Sequence, residues 1–355
     1  MKKKFLDYLR SPVHNAKLEI IESEMKNGEI FNGTLRCTKS NQEYAIVNYI
    51  PRLVAKDNYS ESWGELWVNT VKQVRDSYTG DLFYHDCIFG KHSEENEIKP
   101  GYSMFGFEWS KDLSGQMVLE IGPGTGCCTE HLIHTGCELV CLDMSHAVDT
   151  FEEEWLIMPN IHVVQADITQ KVLDTDLFDK IWMFQVLQHT PDPLKTLTDV
   201  KPYLKEDGEI SFTSYSGKFY PWWLFYTKNR PYDWVRKWTK FWLPFKYYPQ
   251  KVLWTLKSPF LIKAINRVFN WVDPRNIYFQ VLNGLYKESK QARLYAKNKD
   301  KDQLFELTVV NTFDAITPEY TNGATIPVVV KWTEEAGYKN IKAWGKGGVR
   351  IIASK

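Results

Sequence analysis

The residues whose types and spacing could do chemistry fall between positions 117 and 189. In Met117–Gly126, MVLEIGPGTG, an apolar run (Val118, Leu119, Ile121) leads into Gly122, Gly124 and Gly126 and then into a helix-compatible segment. That order reads as a buried parallel strand turning tightly into a helix N-terminus, where glycines let backbone N–H groups approach a ligand and the helix start is electropositive. The spacing is G-x-G-x-G, whereas a dinucleotide fingerprint needs G-x-G-x-x-G. Glu120 adds a carboxylate beside the turn, which repels phosphate and suits an ammonium or sulfonium group. Further along stand Asp143, Asp167, Gln185 and His189. Imidazole titrates near neutral pH, so His189 in LQHTPDP reads either as a general base or as a residue shaping the loop before Pro191 and Pro193.

The elements that must position these side chains are legible as alternating segments. Leu139–Asp143 (LVCLD) reads as a second strand ending in an acid, Ile161–Asp167 as a third, Lys180–Gln185 as a fourth and Gly208–Ser214 as a fifth. Strand and helix patterns alternate from 113 to about 216, which predicts a parallel sheet with right-handed crossovers and a ligand site at the strand carboxyl ends. After a long interruption the chain predicts a helix over Ile326–Ala336, stopped by Gly337, and two strands near Ile341–Trp344 and Val349–Ala353.

The glycine turn with its preceding acid resembles motif I, E/D-x-G-x-G-x-G, of class I S-adenosylmethionine (SAM) methyltransferases, and the four strand signals follow it in register. The resemblance implies an α/β Rossmann-like seven-stranded sheet closed by an antiparallel C-terminal hairpin, with a helical insertion after the fifth strand. It implies SAM as cofactor, held by Glu120, Gly122, Gly124, Gly126, Asp143, Met144, Asp167, Ile168 and Gln185. Asp143 would accept hydrogen bonds from the ribose hydroxyls, with an N-cap role as its rival. Asp167 would receive the adenine amino group with Ile168 on the ring, again against an N-cap alternative, and Gln185 would lie at the methionine moiety. The segment around His189 resembles the V-L-x-H-x-x-D-P signature of small-molecule methyltransferases, which makes His189 the catalytic candidate. FDAITPEYTN (313–322) is similar to a stretch in methyltransferases of surface-glycan and secondary-metabolite clusters, which makes Tyr320 a substrate contact; Trp222, in the insertion, is the other. The implied function is methyl transfer to an oxygen, nitrogen or carbon of an amphipathic or anionic small molecule. A SAM-binding scaffold that methylates nothing is the competing class, and a membrane-associated lipid or quinone methyltransferase a third.

At the other end, residues 35–67 resemble the second half of a small zinc ribbon, but only Cys37 of a ligand set remains and Ser40 stands where the next cysteine would fall. A structural zinc needs four ligands, so no metal is expected. The expected form is a short hairpin packed through Tyr44, Ile46, Val47 and Ile50, as a structural appendage or a partner platform. Phe105, Phe107 and Trp109, before the first strand, would either fold over the cofactor or pack in the core.

Composition bounds the rest. The 355 residues suffice for one large or two ordinary domains. With 44 Lys and Arg against 44 Asp and Glu the formal charge is zero, so no nucleic-acid partner is expected. The six cysteines show no C-x-x-C spacing and read as reduced thiols. No run reaches the roughly 18 apolar residues of a membrane span, and no signal-peptide pattern opens the chain; a cytoplasmic location is expected, with peripheral contact at the inner membrane face as a second expectation. That second expectation comes from Lys218–Asn270, which holds eleven Lys or Arg, one acid and six tryptophans. Such a segment suits a membrane interface, a lid over an amphipathic pocket, or a solvated helical cap. The domain reading is therefore 1–70 appendage, 71–216 SAM-binding core, 217–310 aromatic and basic lid, and 311–355 the remainder of the core. Oligomeric state is left open by the sequence.

Overall fold

A computed structural model of the protein describes residues 1–54, 60–80, 82–90, 106–215, 233–237, 240, 309–310, 313, 317–345 and 348–355. Trp222 and nearly all of the expected lid lie outside the described residues.

The first residues form more than the expected short hairpin. β1 (Leu18–Lys26), β2 (Glu29–Cys37), β3 (Glu43–Val47) and β4 (Ile50–Pro51) make an antiparallel four-stranded sheet. Two tight turns set its register. Asn27-Gly28 (φ 53° and 79°) closes β1 on β2, and Asn48-Tyr49 (φ 51° and 70°) closes β3 on β4, the doubly left-handed geometry that matches strand twist. Strict alternation in β3 buries Tyr44 and Ile46 but turns Val47 outward at 41% exposure; its expected packing role is corrected by the period-2 pleat.

Next come α1 (Glu61–Val74), α2 (Asp76–Thr79) and α3 (Phe83–Phe89). The boundary expected at residue 70 falls inside α1, which packs on the turn His146–Thr150 of the main body, where Gly64 has only 3.0 Å of room against His146.

The main sheet contains β5 (Met117–Ile121), β6 (Glu138–Asp143), β7 (Ile161–Gln165), β8 (Phe178–Met183), β9 (Leu204–Tyr215), β10 (Lys339–Trp344) and β11 (Gly348–Ser354), in the order β10-β11-β9-β8-β5-β6-β7. β5 to β9 pair in parallel, and β11 enters antiparallel between β9 and β10. The seven strands and the C-terminal hairpin are thus as the sequence predicted. Short helices α4 (Thr129–Leu132) and α5 (Glu153–Ile157), then α6 (Pro193–Val200) and α7 (Ile326–Glu335), complete the layers. α6 starts where its sequence says it should: Asp192 caps the Lys195 amide and Pro193 takes the first turn, which needs no donor.

Alternate residues of each central strand feed two cores. Leu119, Val140, Ile181, Phe212 and Ile351 face one side with Phe5, Leu9, Leu197 and Val329; Val118, Leu139, Cys141 and Trp182 face the other with Leu132, Phe107 and Trp109. Phe107 packs edge-on against Trp182 at 4.9 Å and Trp109 donates to Ser211 Oγ at 3.1 Å. Of the two readings left open, both rings belong to the core; Phe105 is outside the described residues.

Candidate active site

At β5 the chain order reverses, with β6 and β7 to one side and β8 and β9 to the other. Such a switch point leaves a crevice outside the strand carboxyl ends. A cavity of about 230 Å³ lies there, lined by Glu120, Gly122, Gly124, Asp143, Met144, Asp167, Ile168, Gln185 and His189, together with Trp63, Trp67, Tyr84, Phe184 and Tyr215.

The glycine turn is shaped by close approach. A Cβ on Gly122, whose φ is 66°, would come within 2.3 Å of Val186 Cγ2, so only glycine lets the loop after β8 close against the turn. Gly126 does different work. It is not among the lining residues, and a Cβ there would meet Trp155 at 2.8 Å and Phe151 at 3.3 Å, so glycine at this position also lets the turn pack onto those rings. Arg75 holds the same turn from beneath: its buried guanidinium donates to Thr125 O (2.6 Å), Thr150 O (3.0 Å) and Glu152 (2.8 Å) and lies over the Trp155 ring.

Two carboxylates face the cavity in contrasting settings. Glu120 is 2% exposed and accepts from Thr129 Oγ1 at 2.7 Å. Burial pushes its pKa up to about 7; hydrogen bonds from Thr129 and Cys141 oppose the rise, and the nearby Asp143 charge adds to it. Asp143 Oδ1 accepts from the Ser145 amide (2.8 Å) and hydroxyl (2.7 Å), and Oδ2 from the Gly124 amide (3.0 Å). Burial raises its pKa against those three donors. A carboxylate oxygen has two lone pairs, so Oδ2 keeps acceptor capacity on the cavity side. Asp167 takes the Thr169 amide and hydroxyl on one oxygen, at 2.8 and 2.7 Å, while also lining the cavity; the turn role and the lining role coexist.

Gln185 sits at φ 56°, a left-handed conformation that non-glycine residues adopt at a cost. It is held by its amide to Thr213 Oγ1 (2.8 Å), by its carbonyl, which accepts from Gln188 Nε2 (2.7 Å), and by its side-chain oxygen, which accepts from Tyr215 OH (3.3 Å). His189 Nδ1 lies 3.1 Å from the Tyr320 carbonyl oxygen. A carbonyl only accepts, so Nδ1 is the donor in this contact. Tyr320 itself is not among the lining residues; what it brings to the site is its carbonyl, 3.1 Å from His189 Nδ1.

The aromatic wall was missed. Trp63 and Trp67 are one turn apart on α1, stacked at 6.0 Å, and Trp63 reaches within 4.9 Å of His189. Their i, i+4 spacing was the available signal. Asp76, Glu130 and His131 also converge as metal-type ligands. Their atoms are committed within the protein, however: Asp76 accepts from the Phe83, Tyr84 and His85 amides and from His131, and Glu130 accepts from the Asp76 amide. They join α2, α3 and α4.

Residues 119–212 match the family model of the methyltransferase domain. By that match, residues 119–212 form a methyltransferase domain. Among known relatives, the domain is 26% identical over 162 residues to the sarcosine/dimethylglycine N-methyltransferase of Halorhodospira halochloris, covering 41% of this chain and 58% of that protein. It is 23% identical over 128 residues to the ubiquinone biosynthesis O-methyltransferase of Stutzerimonas stutzeri, covering 34% and 55%. The chain thus spans little more than half the length of these curated relatives. A solved SAM-dependent methyltransferase from Aquifex aeolicus superposes on 68% of this chain and 82% of its own, at 13% identity and a TM-score of 0.34. Among the described residues, no helix is long and apolar enough to cross a membrane.

Proposed function

We propose that the protein methylates a nucleophilic oxygen, nitrogen or carbon of a small molecule with an apolar, ring-sized body. The observation that carries this reading is one cavity lined both by acceptors suited to a cofactor, Glu120 and Asp143, and by the His189 imidazole with the aromatic rings of Trp63, Trp67, Tyr84, Phe184 and Tyr215. Bound SAM supplies a methyl group on a sulfonium, an electrophile that needs an aligned nucleophile more than it needs activation. In this reading Asp143 accepts from the ribose, Asp167 and Ile168 take the adenine, and the glycine turn and Glu120 receive the methionine end. The aromatic faces favour cationic and planar groups alike. α1 and the loop after β8 exclude water, and His189 Nε2 takes the proton of a hydroxyl or amine acceptor while the Tyr320 carbonyl steadies Nδ1. Calorimetry with SAM tests the cofactor half. Transfer of labelled methyl from SAM to a panel of hydroxylated, amino and amphipathic metabolites tests the other; SAM binding without transfer to any acceptor in the panel or in lysate extract would favour the scaffold reading. The basic, aromatic stretch 218–270 makes an anionic or membrane-resident acceptor part of that panel.

A further inference from the structure

The N-terminal sheet touches the methyltransferase domain at the place where cofactor loops emerge. Just past β4, Arg52 forms a parallel bridge with Gln165 at the end of β7, and the Leu53 amide donates to Gln165 O at 2.8 Å, so the appendage extends the open edge of the main sheet. The Arg52 side chain then spans two loops. Its guanidinium donates to Gln165 Oε1 at 3.1 Å and pairs with Asp149 in the turn after β6. Gln165 is 1% exposed, and with its oxygen taken by Arg52 its amide nitrogen donates to Met144 O at 3.1 Å. Asp143 ends β6 and is followed into the cavity wall by Met144 and Ser145, as Ala166, Asp167 and Ile168 follow β7 into it. Arg52 therefore ties the side chain at the end of β7 to the turn after β6, and through Gln165 it reaches the Met144 carbonyl, while it is not itself a lining residue of the cavity. Ordering a long side chain costs entropy, and Arg52, at 14% exposure, offsets that cost with bonds to Gln165, Asp149 and the Val47 carbonyl (3.4 Å). Behind it, Lys2 donates to the Leu156 and Ile161 carbonyls and Phe5 stacks on His162 at 4.8 Å, docking the appendage along the same edge.

We propose that the N-terminal sheet is a built-in brace of the nucleoside end of the cofactor site, with Arg52 as its positioning residue. The proposal rests on the reading of the cavity as the SAM site. Its test uses the full chain and calorimetry with SAM, alongside thermal unfolding without ligand. Arg52→Met keeps the stem and removes the fork; SAM affinity falls about tenfold, because two charge-assisted bonds that order the loops are lost. Arg52→Lys, which reaches one partner at a time, recovers part of the loss. Asp149→Asn, at an exposed position that does not endanger folding, weakens SAM about threefold by removing one of the two ties. A purely structural arginine would lower the unfolding temperature yet leave the affinity of the folded protein unchanged, so wild-type affinity in Arg52→Met and Asp149→Asn overturns the proposal alone. Wild-type protein that does not bind SAM overturns the cofactor reading and the proposal together.

Discussion

Glu120 makes SAM affinity depend on pH in a direction that distinguishes it from a spectator. In the ligand-free fold, burial holds its pKa at about 7 against an ordinary 4.5. Below that value the group is a neutral acid, stabilised by the apolar strand end and bonded to Thr129. The sign for the empty protein follows from proton counting. Between about 4.5 and 7 the folded chain binds more protons than the unfolded one, so stability is lost as pH rises through that window, by about 3 kcal/mol if the whole shift is realised. Binding a cation reverses the slope, since a sulfonium or ammonium near Glu120 stabilises its ionised form. If the complex returns the pKa to its ordinary value, SAM binds about 30-fold more tightly at pH 8 than at pH 5.5, most of the gain arriving by pH 7. Calorimetry across pH 5.5–8 reads this directly, and buffers of different ionisation enthalpy report the proton released. Glu120→Gln keeps an acceptor for Thr129 and removes the charge; its affinity is weaker at pH 8 and nearly flat with pH. Wild-type affinity constant within twofold over that range, or a slope unchanged in Glu120→Gln, would refute the assignment of the cation-binding end to Glu120.

Other consequences are simpler to read. Asp143→Ala weakens SAM by about 1–3 kcal/mol in calorimetry, the loss expected when hydrogen bonds to an ionised group disappear; unchanged affinity would remove Asp143 from the ribose. His189→Gln lowers the rate on a hydroxyl acceptor by about 10²–10⁴ while SAM affinity stays near wild type, and a loss of only a few-fold would leave His189 as a loop-shaping residue. For residues 218–270, flotation with anionic vesicles across a salt series separates the two habitats: release by salt indicates peripheral attachment, at about 1 kcal/mol per base near the surface, and no flotation at low salt indicates a soluble acceptor.

What the sequence disclosed and what it hid divide along the range of the interactions involved. The glycine turn, Asp143 at the end of β6 and Asp167 after β7 were readable because strand, turn and acid are consecutive, and each is placed by its own neighbours. The end of β8 was readable too, although the left-handed backbone of Gln185 was not, since Thr213 and Tyr215 from β9 impose it. Gly126 was readable from its spacing as glycine, but not the second reason for it: besides its φ of 84°, a Cβ there would meet Trp155, beyond the turn. The four-stranded N-terminal sheet carries a local signal, the Asn27-Gly28 turn, which lies upstream of the residues that resemble a zinc ribbon. Arg52 carried none. Its partner Gln165 is 113 residues away, and an exposed-looking arginine after a proline gives no hint of a buried glutamine whose other end holds Met144. Pairing across the edge of a sheet has no sequence period of its own, so residues that set a site from behind are the last to become visible. The physical consequence of the proposed brace is that an N-terminal sheet lying outside the cavity acts on two of its loops through Arg52 and Gln165, so loss of that contact is felt first in cofactor affinity and only then in the stability of the fold.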